Sequence, residues 1–313
     1  MTSSISPLDE LQIIRERYTL RSCGLRWSAY PGGLLHGGLG MALAKVAPQT
    51  FVALMGQNEH TGGPRPWWLL PPTDLRMAYG SSEDFTLDLF FANPDPEWLN
   101  DCTLALAQLG RIGLGQSRDQ YRLIRHETVP WNPTKERSEG ENFGSMLRCV
   151  HVHEGLSHIG VQLLTPARIK CERGLLRTVP TATVLVQRIL ARAAMLAGSS
   201  VLDLPLARQA LNEAAQANIT EHEVTWDDIS RYSARQKAVI PLGGLTGWVR
   251  YSAECPLHAM YTWLAVGEWL HVGTKTTFGL GAYRLVPART TPLDKPSADE
   301  HWQLSSEQIQ AQL

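Results

Sequence analysis

Two stretches, in opposite halves of the chain, repeat one order of elements. "LALAQLGRIGLGQSRDQYRL" runs from Leu104 to Leu123 and "WLAVGEWLHVGTKTTFGLGAYRL" from Trp263 to Leu285. Each has an apolar helix-like segment, a glycine-rich turn in which an aliphatic or aromatic residue precedes GLG, and then YRL. The period is too long for a solenoid and fits two related domains in tandem. Each half also alternates strand and helix patterns. "FTLDLFF" (Phe85–Phe91) reads as a strand, and "PEWLNDCTLALAQLG" as a helix burying Trp98, Cys102, Leu106 and Leu109, with Gly110 as its stop. "HIGVQLLTP" (His158–Pro166) reads as a strand ended by proline, and "TATVLVQRILARAAMLAG" as a helix stopped by Gly198. "GGLTGWVRYSAE" reads as a strand, and "PLHAMYTWLAVGEWL" as a helix opened by Pro256. Two helices and several strands per half suit the β-α-β-β-α-β split motif. The expected fold is therefore α+β, with two tandem ferredoxin-like (RRM-like) domains at 1–150 and 151–288. A polar loop at Asn132–Asn142 lies near the boundary, and 289–313 forms a loose tail.

Composition excludes several classes. The 313 residues are 43% hydrophobic, enough for a sizeable core. Net charge is −1, so any nucleic-acid binding must come from local patches. The opening "MTSSISPLDE" has no apolar leader, and no run of about 18 apolar residues occurs, so a cytoplasmic protein without a membrane partner is expected. The five cysteines are scattered without C-x-x-C, against a disulfide framework or zinc module.

Three constellations carry chemistry. In "AYPGGLLHGGLGMALAKV" (Ala29–Val46), Gly37, Gly38 and Gly40 sit inside a helix pattern, each costing about 1 kcal/mol against alanine. Such a helix needs close approach by another backbone, from protein or RNA, and His36 lies beside it, with Tyr30 and Arg26 upstream. "TPARIKCERGLLRTVPTATVLVQRILAR" (Thr165–Arg192) sets Arg168, Lys170, Arg173, Arg177, Arg188 and Arg192 against Glu172 alone. Arg188 and Arg192 share a helix face, and "SRYSARQK" adds Arg231, Arg235 and Lys237. This is either a phosphate track or a solvated basic face. The turn Gly273–Gly281 offers backbone N–H groups as an anion nest, with Lys275, Thr274, Thr276 and Thr277 as further donors. Walker A and Rossmann signatures are missing, so no nucleotide cofactor is expected. "HVHE" (His151–Glu154) places two side chains on one face if it forms a strand, too few for a metal site. "WDD" (Trp226–Asp228) reads as a turn or helix start. No metal is expected.

With "YPGGLLHGGLG", "PWWLLPP", "LGRIGLG", "LLTPARIK", "RYSARQ" and the ending "GWVRY...WLHVGTKTTFGLGAYRL", the chain resembles the CRISPR repeat-processing endoribonucleases of the RAMP superfamily over roughly residues 20–286. The resemblance implies metal-independent cleavage of repeat RNA to mature guide RNA. The ribose 2′-hydroxyl attacks the adjacent phosphate, leaving a 2′,3′-cyclic phosphate and a 5′-hydroxyl. It also implies product retention in an effector complex with other CRISPR subunits. Such a reaction needs a base, an acid and cations. His36 is taken as the base, with Tyr30 and Arg26 as catalytic partners. The motif alone does not place the family's catalytic histidine, so an RNA contact by His36 and an arginine-lined site around Arg26 stay open. Arg168, Lys170, Arg188, Arg192, Arg231, Arg235, His271, Lys275, Thr276 and Thr277 are the expected RNA-binding residues, His271 being also a second candidate for the active site. The alternative function is a non-catalytic guide-RNA-binding subunit of the same superfamily.

Overall fold

The computed structural model describes residues 7–27, 30–56, 65–74, 76–131, 142–172, 174–233 and 238–286. The first half contains α1 (Pro7–Glu10), β1 (Ile13–Arg26), α2 (Pro31–Val46), α3 (Pro48–Met55), β2 (Trp67–Leu70), β3 (Ala78–Ala92), α4 (Pro96–Ile112), β4 (Tyr121–Thr128) and α5 (Phe143–Cys149). The second contains β5 (His158–Ala167), β6 (Lys170–Cys171), β7 (Gly174–Leu175), α6 (Ala182–Ala197), α7 (Pro205–Gln216), β8 (Asn218–Asp227), β9 (Ser230–Ser233), β10 (Ala238–Pro241), β11 (Gly244–Ser252), α8 (His258–Leu270), a short 3-10 turn (Thr276–Phe278) and β12 (Tyr283–Val286).

The two large sheets are antiparallel and ordered β2-β3-β1-β4 and β12-β5-β11-β8. In both, the fourth strand of the unit flanks the first, which flanks the third, which flanks the second. With helices after the first and third strands, this is the ferredoxin-like β-α-β-β-α-β arrangement, twice. The hairpins β6–β7 and β9–β10 are additions to the second copy.

The sequence duplication has a structural counterpart. Tyr121 opens β4 and its hydroxyl donates to Leu106 O of α4 at 2.9 Å; Tyr283 opens β12 and donates to Leu264 O of α8 at 2.6 Å. In each copy a helix glycine, Gly110 or Gly267, makes room for that tyrosine, because a Cβ there would overlap it. Gly110 is therefore not a helix stop. Helix α4 starts at the Asp95 cap, whose carboxylate accepts from Glu97 N–H at 3.0 Å, and ends only at Gly113, with φ 91°. Helix α6 follows expectation, with Thr181 capping Val184 N–H and left-handed Gly198 ending it. Pro256 lies two residues before α8, next to its Leu257 cap, as expected. Pro166 does not end β5. Pairing with β11 is irregular between Leu163 and Ala167, so no ladder N–H is missed there.

One core fills the first unit, with Tyr18, Leu20, Leu39, Leu87, Leu106 and Leu109. The other fills the second unit but also takes in Ile13, Trp68, Phe90 and Phe143 from the first half. Strand β3 is thus buried on both faces at its end, which is why its aromatic run alternates only partly. Among the described residues no helix is long and apolar enough to cross a membrane.

Candidate active site

The glycine-rich turn after α8 is folded against the start of α2. Lys275, at φ 63°, enters the 3-10 turn, and Gly279, at φ 76°, leaves it. Val272, Thr274, Phe278, Gly279 and Gly281 donate their amides to Gly281, Arg168, Lys275, Thr276 and Pro166 carbonyls respectively. The expected anion nest is narrowed accordingly, because these donors are already used by the protein. Outward-facing chemistry on the turn comes instead from exposed Lys275 and half-buried Thr274.

Three consecutive carbonyls of the turn meet α2. His36 Nδ1 lies 2.9 Å from Thr277 O. The Gly32 backbone packs so closely that a Cβ would overlap Phe278 O. Tyr30 donates its hydroxyl to Gly279 O at 3.1 Å. The close approach required by the glycines of α2 is thus a protein one, and it falls at Gly32. Gly38 instead seats Leu109 of α4, while a Cβ on Gly37 would meet nothing within 4 Å.

A carbonyl only accepts, so His36 Nδ1 carries the proton and Nε2 is the basic nitrogen. The half-buried ring is stacked on Trp67 (5.5 Å between centroids) and tilted against Phe278 (3.8 Å), which fixes its orientation. Trp67 and Phe278 were not among the expected site residues. The PWW stretch and the aromatic before GLG were the available signals.

Other expected site residues fall differently. Tyr30 is 3% exposed, packed with Ile229, Leu242, Phe278 and Leu280, and burial raises its pKa well above the phenol value. Arg26 is exposed at the end of β1, and its backbone N–H donates to Asp119. His271 was expected at the RNA surface but is 0% exposed. Burial, then Arg192 and Arg15, hold it far below the usual histidine range, so the ring is neutral. Thr276 and Thr277 are also buried, at 5% and 9%.

Arg192 stands at the seam between the halves rather than on an open track. Its Nε donates to Leu270 O, its guanidinium lies 4.7 Å from the Trp68 ring centroid, and burial lowers its pKa to about 10. Trp68 Nε1 donates to Trp269 O at 2.7 Å. Two orphan carbonyls at the end of α8 are thereby satisfied, one by a cation, as the helix dipole favours. Arg188 is half-buried on the same helix. Arg168 is half-buried, donating from Nη1 to Gly243 O at 2.8 Å, and Lys170 is exposed on β6. Arg231 lies on β9; Arg173, Arg235, Lys237, the loop at 132–141 and the tail lie outside the described residues. "HVHE" lies outside any strand, and "WDD" starts at the end of strand β8 rather than in a helix.

Residues 161–283 match the model of the family described as CRISPR-associated endoribonuclease Cas6. No curated protein matches the chain. Among solved structures, the chain is similar to Thermus thermophilus Cas6, at 14% identity and TM-score 0.57, over 88% of this chain and 99% of that one. A Cas6 product complex gives the same figures. A partial Cas6-RT-Cas1–Cas2 complex is similar at 13% identity and TM-score 0.60, over 93% of this chain but only 49% of that chain. At such identities the likeness carries the fold. The family match thus lies within the second half of the chain, and the duplicated fold is shared with solved Cas6 structures along most of its length.

Proposed function

We propose that this protein cleaves CRISPR repeat RNA by a metal-independent reaction at His36 and keeps the guide RNA it makes. The observation that carries the reading is the hydrogen bond of His36 Nδ1–H to Thr277 O, which leaves Nε2 as the basic atom. In the proposed step Nε2 takes the proton of a ribose 2′-hydroxyl, whose oxygen attacks the adjacent phosphorus. The bond to the 5′-oxygen breaks, solvent protonates that oxygen, and a 2′,3′-cyclic phosphate remains. Lys275 and Arg168 supply positive charge for the phosphorane-like transition state. Tyr30 holds the loop through Gly279 O, and His271 and Arg192 support it from within. The remaining exposed cations, Lys170 and Arg26 among them, are assigned to RNA phosphates. The neighbour that assembles with Cas1 and Cas2 supports other CRISPR subunits as partners.

The test is incubation of the protein with end-labelled repeat RNA in EDTA. One site-specific cut with a 2′,3′-cyclic phosphate terminus is expected. Stable binding without cutting would instead make the chain a guide-RNA scaffold.

A further inference from the structure

Several arginines of the first half are neutralised. Arg15 and Arg17 share Asp88, Arg21 pairs with Asp84, Arg76 with Glu83, and Arg125 with Glu127. A pair in the second unit is handled differently. The Arg177 guanidinium lies 4.1 Å from the Trp226 ring centroid. Trp226 is itself fixed. Its Nε1 donates to Asp228 Oδ1 at 2.7 Å, and it packs so close to Gly243 that a Cβ there would stand 3.1 Å from Nε1. Arg168 donates to the carbonyl of that same Gly243. The Arg168 backbone carbonyl accepts from Thr274 N–H (2.8 Å) and Oγ1 (3.2 Å) of the glycine-rich turn.

Arg168 and Arg177 are within electrostatic reach of each other. After desolvation, Arg177 is the second cause lowering the Arg168 pKa. Neither makes an ion pair with a described carboxylate, although such pairs are common elsewhere in the molecule. Two like charges held together by a tryptophan and a carbonyl, beside the turn that carries Thr277, are an arrangement that an anion completes.

We propose that Arg168 and Arg177 form a phosphate clamp for single-stranded RNA, with Trp226 as the positioning residue that keeps the Arg177 guanidinium flat and preorganised. The inference rests on the RNA-processing reading and adds to it a strand path leading from the turn toward the β8–β11 end of the second sheet. Guanidinium planes both pair with phosphate and stack on bases, so Lys at position 177 is not equivalent to Arg.

The experiment is a salt titration of binding to repeat RNA carrying a single 2′-deoxy residue at the cut site, with full-length protein. Arg177→Ala is expected to weaken binding about tenfold and to reduce the log–log salt slope by about 0.7, one phosphate contact on a single strand. Arg177→Lys should recover the slope but not the full affinity. Trp226→Phe should retain both, and Trp226→Ala should lose affinity at unchanged melting temperature. Should Trp226→Ala fail to fold, the Arg177 pair decides. An unchanged slope and affinity in Arg177→Ala would overturn the clamp alone. Absence of RNA binding by the wild type would overturn both the clamp and the function it rests on.

Discussion

At the scale of single residues, His36 owes its properties to an acceptor that cannot donate. Thr277 O fixes the tautomer, and Trp67 and Phe278 fix the ring plane. Gly32 matters as much, because it lets three consecutive carbonyls of the turn rest on α2. Replacing Gly32 with alanine should push the turn away from His36. We expect a destabilisation of about 1–3 kcal/mol by denaturant titration and a cleavage loss larger than the loss of RNA affinity. Equal cleavage by a correctly folded Gly32→Ala variant would show that the contact is dispensable. His36 draws notice in sequence because it stands in a glycine-rich helix. The glycine that matters does not, since the approaching backbone lies more than two hundred residues away in the chain. His271 shows the opposite failure: its neighbours in sequence suggested a surface turn, while packing against Phe90 put it fully inside.

At the scale of elements, α8 is held at its end by groups from elsewhere. Trp68 and Arg192 take its last carbonyls, and Phe90 and Trp131 pack on Trp269. Glu268 on the same helix accepts the Leu285 N–H of β12, and burial raises its pKa to about 7. A carboxyl raised in the folded state favours folding when protonated. Its contribution is complete below the ordinary carboxylate value of 4.5 and is lost as pH climbs through about 7. Stability should therefore fall by about 1–3 kcal/mol between about pH 5 and pH 8, and Glu268→Gln should flatten that segment of the profile. An identical pH slope in the variant would exclude Glu268 as its source. Helix ends and strands with strong patterns, such as α6 with its Thr181 and Gly198 caps, were readable directly. Strand β8 was not singled out, because an edge strand exposes "NITEHEVTWD" to water and shows little alternation. The length of α4 was misread because Gly110 serves the Tyr121 contact rather than a helix end.

At the scale of the whole molecule, the duplicated order of GLG followed by YRL predicts two units of one topology, and both sheets have the same strand order. Each copy keeps the tyrosine-to-helix bond and the glycine that admits it. They differ in what lies between helix and strand: a tight Gly113–Asp119 connection in the first, and the longer turn that reaches α2 in the second. The candidate site is therefore built from both units. The seam is aromatic around the buried Arg192, and Trp68 and Phe90 are legible only as core residues because sequence does not say which core they fill. The central claim is that His36 Nε2, aimed by the Thr277 carbonyl, performs the proton transfer. Single-turnover cleavage of repeat RNA by His36→Ala, with affinity measured on the same preparation, tests it most directly. We expect cleavage to fall by about a hundredfold or more while affinity stays within about threefold of wild type, the loss of a single contact at most. An unchanged cleavage rate in that variant would contradict the account.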